Sequence, residues 1–373
     1  MLRTFVYFDA STIDYEVLQQ IYSTNSQLQE VEQNICVFEF DAITFAHALM
    51  LLGQNGNRFG YDLSLYLSTV VYFFNNSTTS VNGLIIVDQG SSDFKKRISE
   101  DLGVAISSLF MAQSFQIKWE TITQIPQNKK LSKKTPDFLG FNLNDERYIY
   151  ESKGTTQPQN IESAMTKALE QSKGYPETAT GKFAIVSYFP TGGKSMPPFT
   201  FIADPPISDI FIPERENSIL LHYTHVLSFA GLDNTLRFYE NLLVEKFKLD
   251  RQDEQERTLY RFPRNLGLQR FLDTVIQTFE QERVTKDTFA WRNITYIGRY
   301  LDLPDGRSRL FTGVHVETIE QILRLDTNIQ VFSNTRVREN GEEISTLSDG
   351  TIFKIQAPDA ENQRFPAKPL KFN

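Results

Sequence analysis

Asp137, Glu151 and Lys153 are the residues of this chain whose types and spacing suit joint chemistry. They fall in KKTPDFLGFNLNDERYIYESKGTT, residues 133–156. That stretch reads as two short strands, Pro136 to Leu143 and Arg147 to Lys153, around a turn of Asn144, Asp145 and Glu146. Residues two apart in a strand share a face, so Glu151 and Lys153 point together. A turn of that length pairs Leu143 with Arg147, which sets Asp137 opposite Lys153 and diagonal to Glu151 on the same face. Directly opposite Cβ atoms lie roughly 5 Å apart, so the three charged heads can converge. Two converging carboxylates repel, and one ammonium offsets them only in part; a divalent cation does better. Carboxylate oxygens, waters and a phosphate oxygen make the octahedron that Mg²⁺ favours, with Mn²⁺ as a substitute. Such an ion polarises phosphate and lowers the pKa of a bound water, while a lysine positions that water or stabilises charge on phosphorus. This is equipment for hydrolysing a phosphodiester. The plain alternative is a hairpin with exposed ion pairs, which add little stability.

The elements that must position this hairpin follow from periodicity. Ser92 or Asp93 caps a helix in which Phe94, Ile98, Leu102, Ala105 and Leu109 recur at helical spacing. A strand from Gln116 to Ile125 follows, then a loop carrying Lys129, Lys130, Lys133 and Lys134. After the hairpin, Asn160 caps a helix with the stripe Ile161, Ala164, Met165, Ala168 and Leu169, stopped by Gly174 and Pro176. Phe183 to Phe189 is apolar enough for a central strand, and Phe199 to Ala203 adds another. Helix, strand, strand, strand, helix, strand makes a mixed sheet with helices on its faces. Ahead of it, residues 1–90 alternate strand (Thr4 to Asp9, Ile35 to Asp41, Leu84 to Asp88) and helix (Ile13 to Tyr22 and two later stretches), an α/β region without a glycine-rich phosphate turn. We read it as a specificity or assembly domain. Beyond Pro205 to Pro213, residues 214–373 turn helical (Ile219 to Phe229, Thr235 to Phe247, Leu266 to Phe279) and end in a strand-rich tail from about Ile294 to Ile355. The chain therefore divides into an N-terminal α/β region (1–90), a central core (91–204) and a C-terminal helical and strand region (214–373).

Pro136-Asp137 followed by Glu151-Ser152-Lys153 resembles the PD-(D/E)XK nuclease superfamily, which includes restriction endonucleases and recombination exonucleases. The resemblance covers about Ser91 to Asp204. It implies an α/β fold with a restriction-endonuclease-like mixed sheet, Asp137 and Glu151 as ligands of Mg²⁺, and Lys153 assisting the attacking water. It implies a nucleic-acid partner, with DNA the expected substrate, and a setting in restriction, host defence or a mobile element. A homodimer or larger defence complex would suit cutting of two strands. Some members carry an acid on the first core helix as an extra metal ligand, and Glu100 in ISEDLGVA looks like that residue. Its periodicity turns Glu100 away from the Phe94, Ile98 and Leu102 stripe, alongside Gly103 and Ser107. Either the helix is buried on both faces, or Glu100 faces solvent. Gln171 and Tyr175 in EQSKGY look like the Gln-x-x-x-Tyr element of exonuclease-type members; an ordinary polar helix end fits them equally. With the lysine loop, they are the candidates for contact with nucleic acid. The competing functional class is a catalytically silent nucleic-acid-binding or assembly protein that retains the core.

Composition narrows the field. With 373 residues, 40% of them hydrophobic and 13% aromatic, the chain can bury two or three densely packed domains. Its single cysteine, Cys36, rules out an intrachain disulfide framework or thiolate zinc site, suits a small buried side chain, and fits a reducing cytoplasm. A net charge of −8 argues against a surface that clings everywhere to phosphate, so binding must be local. Met1 to Ala10 turns acidic at Asp9, unlike a secretory leader, and the apolar runs Ile43 to Leu52 and Leu65 to Phe74 are short for a bilayer span. Gly192 to Ser195 (GGKS) lacks the first glycine and following helix of a phosphate loop; His222 and His225 read as packing histidines, and the charged run Arg251 to Arg257 as a solvated face.

Overall fold

The computed structural model describes residues 2–9, 11, 13, 21, 23, 28–32, 34–52, 85–87, 91–125, 137–172, 179–191, 197–203, 214–247, 268–303, 309–339 and 342–356. Its strands form one large mixed sheet and one smaller antiparallel sheet. The first begins with β1 (Leu2–Phe8), in which alternate residues are buried, as a strand covered on one face requires. β2 (Leu28–Glu32) and β3 (Ile35–Phe40) continue it, and Asp41 ends β3 by accepting the amides of Ile43 (2.9 Å) and Thr44 (3.4 Å) at the start of α1 (Ala42–Leu52). Cys36 is fully buried in β3, where burial and then Glu30 push its thiol up to about 12, as expected for an inert packing residue.

α2 (Ser92–Ser114) follows, with Ser91 as its N-cap, one residue earlier than the sequence suggested. Next come β4 (Thr123–Gln124), β5 (Phe138–Phe141), β6 (Arg147–Thr155), α3 (Ile161–Ser172), β7 (Gly181–Tyr188) and β8 (Phe199–Ala203). The sheet order is β2-β3-β1-β8-β7-β6-β5-β4. β6 and β7 are parallel across α3, β5 and β6 are an antiparallel hairpin, and β1 adds parallel to β8, so the strands before residue 90 extend the same sheet.

Three expectations are corrected here. The strand expected from Gln116 to Ile125 is mostly not one: Gln116 sits at φ 55°, Trp119–Thr121 forms a 3₁₀ turn, and only Thr123 and Gln124 pair with β5. Thr121 explains the break, because its hydroxyl both accepts the Phe141 amide (2.9 Å) and donates to the Phe141 carbonyl (3.1 Å), replacing ladder bonds. Asn160 belongs to a 3₁₀ turn, Pro158–Asn160, that precedes α3 and does not cap it. Residues 85–87 lie outside the ladder, Val87 donating one backbone bond to Pro190 (2.9 Å).

The C-terminal region packs α4 (Arg215–Phe229), α5 (Asp233–Phe247) and α6 (Leu268–Arg283) beside a second sheet. That sheet contains β9 (Asp287–Trp291), β10 (Ile294–Asp302), β11 (Arg309–His315), β12 (Thr335–Glu339), β13 (Glu342–Thr346) and β14 (Thr351–Gln356), ordered β12-β13-β14-β11-β10-β9, with α7 (Val316–Leu323) after β11. One apolar core runs from Val6 and Phe38 through Leu102 and Tyr223 to Val314 and Phe353, joining both sheets. No helix among the described residues is long and apolar enough to cross a membrane. The expected helix Ile13 to Tyr22 lies largely outside the described residues, as do the GGKS stretch and the charged run at 251–257.

Candidate active site

The hairpin turns one step earlier than its composition suggests. Asn142 uses its side-chain oxygen to accept the amides of Asn144 and Glu146, each at 2.9 Å, and Asp145 takes a left-handed φ of 58°. Leu143 therefore leaves the strand and is 62% exposed, and Phe141, not Leu143, pairs with Arg147. The register moves by two positions, which preserves the face of every side chain. With Phe138 opposite Tyr150, the ladder carries Asp137 towards Glu151, not towards Lys153 as the expected turn required. The convergence on one face survives; the pairing within it changes.

β6 has two differently used faces. Its even-numbered residues lock onto α2: Ser152 shares a hydrogen bond with Ser107 (3.0 Å), the Tyr150 hydroxyl with Ser108 (2.9 Å), and Gly154 lies against Gly103. A Cβ at Gly154 would fall 1.6 Å from the Ser99 carbonyl oxygen, so glycine is what lets the helix approach. Its odd-numbered residues face the other way. Ile149 packs with Leu139, while Glu151 and Lys153 pair in register with Ala184 and Val186, which lie under Ala168 of α3. Glu151 thus sits between two small apolar clusters.

That setting governs its charge. The Glu151 side chain is 0% exposed, Asp137 15% and Lys153 28%. The Lys153 ammonium contacts Glu151 and lies 3.7 Å from Asp137 Oδ2, which also accepts the Ser152 amide at 3.3 Å. Glu151 Oε1 meets the Lys153 ammonium, and Oε2 has no hydrogen-bond partner among the described residues. Burial, then the neighbouring Asp137 carboxylate, push the Glu151 carboxyl up to about 8 against the pull of Lys153. Burial raises Asp137 as well, opposed by Lys153 and the Ser152 amide. For Lys153 burial acts downward, but Asp137 and Glu151 together outweigh it and hold the ammonium above its ordinary value. Two acids and one base in so dry a place favour one retained proton or one added cation.

A divalent ion fits this donor set. Mg²⁺ uses one or two carboxylates and completes its shell with water and phosphate oxygens, and Glu151, whose Oε2 has no hydrogen bond among the described residues, would supply such a carboxylate beside Asp137. Among the described residues no group of three or more His, Cys, Asp or Glu side chains is placed to hold a metal ion. Glu100 accordingly does not join the pair as a third ligand in this arrangement. Its helix is buried on both faces from Leu102 to Phe110, so the first of the two alternatives for α2 holds. Glu100 is half-buried, its amide nitrogen would be 2.9 Å from a Cβ on Gly154, and its charge adds a small upward pull on Lys153.

Gln171 is half-buried at the end of α3 and makes no hydrogen bond to Asp137, Glu151 or Lys153 among the described residues. Tyr175, Pro136 and the four lysines Lys129, Lys130, Lys133 and Lys134 lie outside the described residues. Spacing gave no hint of the supporting partners Ser107, Ser108 and Tyr150, since serines inside an apolar helix look like tolerated small residues. Their one signal was position, on the same helical side as Gly103. Compared with known proteins, the chain matches no family model, no curated protein and no solved structure.

Proposed function

We propose that this protein is a metal-dependent nuclease that hydrolyses phosphodiester bonds in DNA, with a restriction-endonuclease-like core and a role in restriction or host defence. One observation carries the reading: Glu151 is a wholly buried carboxylate held beside Asp137, with the Lys153 ammonium on Oε1 and no hydrogen bond to Oε2 among the described residues. A carboxylate buried for packing alone would have donors on both oxygens, because burying an incompletely satisfied one is costly.

In this reading Asp137 and Glu151 are ligands, and the Ser152 amide fixes the orientation of Asp137. A bound Mg²⁺ supplies Lewis acidity towards phosphate and acidifies water. Lys153, kept protonated by its two neighbours, donates hydrogen bonds to the attacking water or to the charge that builds on the phosphoryl oxygens. The apolar walls from Leu139, Ile149 and Ala184 lower the local dielectric and strengthen each of these contacts. Lys129, Lys130, Lys133 and Lys134, directly ahead of Asp137 in sequence, are proposed to meet the phosphate backbone, and Gln171 and Tyr175 are proposed as further nucleic-acid contacts.

The alternative is a catalytically silent core that binds nucleic acid without cutting it. The test is incubation of purified protein with plasmid, single-stranded DNA and RNA, with and without Mg²⁺, beside Asp137→Ala. Cleavage that requires both the metal and Asp137 supports the nuclease. Binding without cleavage supports the silent class.

A further inference from the structure

The C-terminal region fastens the edge of the sheet that holds Asp137. The turn after β13, Leu347–Gly350, closes with Gly350 at φ 81° and presents Ser348 and Asp349 inward, towards the 3₁₀ turn before β4. Ser348 donates to Glu120 Oε2 (2.7 Å) and accepts the Trp119 amide (3.3 Å). Asp349 Oδ2 meets His222 Nε2 (2.8 Å), and His222 Nδ1 donates to the Ile122 carbonyl (2.6 Å). His222 and Asp349 are both 0% exposed. A carbonyl can only accept, so Nδ1 carries the proton it shares with Ile122 and Nε2 faces the Asp349 carboxylate. The strand segment so gripped is the one that holds β5. Lys118 donates to the Phe141 carbonyl (2.9 Å), and at the far end the Ile125 amide donates to the Asp137 carbonyl (3.0 Å).

Asp137 stands just before a four-residue strand whose outer neighbour, β4, is only two residues long, so the ladder alone holds it weakly. From these links we propose that His222, Asp349 and Ser348 are positioning residues that keep Asp137 aligned with Glu151 through the Trp119–Ile125 segment. The proposal rests on the reading of Asp137 as a metal ligand, and it gives the second sheet a part in the site without contact with substrate.

The test compares wild type with Ser348→Ala, which removes two links without disturbing the buried His222 and Asp349 pair, and with Ser348→Thr, which keeps the hydroxyl. Mn²⁺ affinity is measured by calorimetry and amide exchange at Ile125, Ser152, β10 and β11 by mass spectrometry or NMR. Positioning predicts Mn²⁺ binding weakened about tenfold in Ser348→Ala, as for outer-shell partners of metal sites. Exchange should be faster at Ile125 and Ser152, unchanged in β10 and β11, and restored by Ser348→Thr. Unchanged affinity and exchange, or exchange rising equally across β10 and β11, would overturn it. If wild type binds no Mn²⁺ the nuclease reading falls, and the exchange pattern at Ile125 and Ser152 decides the positioning by the same two results.

Discussion

Glu151 and Asp349 are both carboxylates with 0% exposed side chains, and they lie in opposite electrostatic states. Burial pushes Asp349 upward, but the hydrogen bond and charge of His222 and the Thr351 hydroxyl outweigh it and hold the carboxyl below its usual range. Asp349 is saturated: His222 on one oxygen, the Thr351 amide (2.9 Å) and hydroxyl (2.6 Å) on the other, and the Tyr223 hydroxyl on its carbonyl (2.7 Å). Glu151 has one ammonium on Oε1 and no hydrogen bond to Oε2 among the described residues, and burial, then the rival acid beside it, push its carboxyl up to about 8. The contrast separates two uses of a buried charge. A saturated one ties elements together; an unsaturated one is held ready for something else to bind.

The comparison breaks most visibly at the saturated end. Asp349→Asn replaces the carboxylate that faces His222 with an amide in a dry junction, and breaking a buried pair of this kind costs about 3–5 kcal/mol. Urea unfolding should show that loss, and a change under about 1 kcal/mol would mean the junction is not the tie described. At the unsaturated end the sign reverses. The folded Glu151 carboxyl at about 8 binds its proton more tightly than an unfolded one near 4.5, so its contribution to stability is lost as pH rises through that window. Glu151→Gln should therefore gain on wild type as pH climbs from 5 to 9 without metal, by roughly 2–4 kcal/mol at the top. A gap independent of pH would contradict the assigned proton. Smallest is the helix lock: Ser152→Ala removes one buried hydroxyl pair and should cost about 1 kcal/mol in urea unfolding.

How much of this was legible in the sequence depends on whether local or distant contacts decide. The α2 and α3 stripes and the strands β1 and β3 follow from period, whereas β7, buried on both faces, follows from its unbroken apolar run. The convergence of Asp137, Glu151 and Lys153 was readable for the same reason, since strand parity is fixed even when register slips. The register itself was not. Asn142 captures two turn amides, which the residue types around Asn144 did not signal. The edge segment was misread because Thr121 satisfies Phe141 with its side chain, a contact between residues 20 apart in sequence. His222 was correctly taken as a packing histidine, but its partner Asp349 lies 127 residues away and no spacing rule reaches it.

The central claim is that Asp137 and Glu151 together hold a divalent cation. Calorimetric titration of Mn²⁺ into wild type and into Asp137→Asn, in two buffers of different ionisation enthalpy, addresses it directly. Wild type should bind with net release of protons, because the carboxyl pair retains one near neutral pH, and the variant should lose most of that binding. Equal binding in both proteins, or none in either, would contradict the claim.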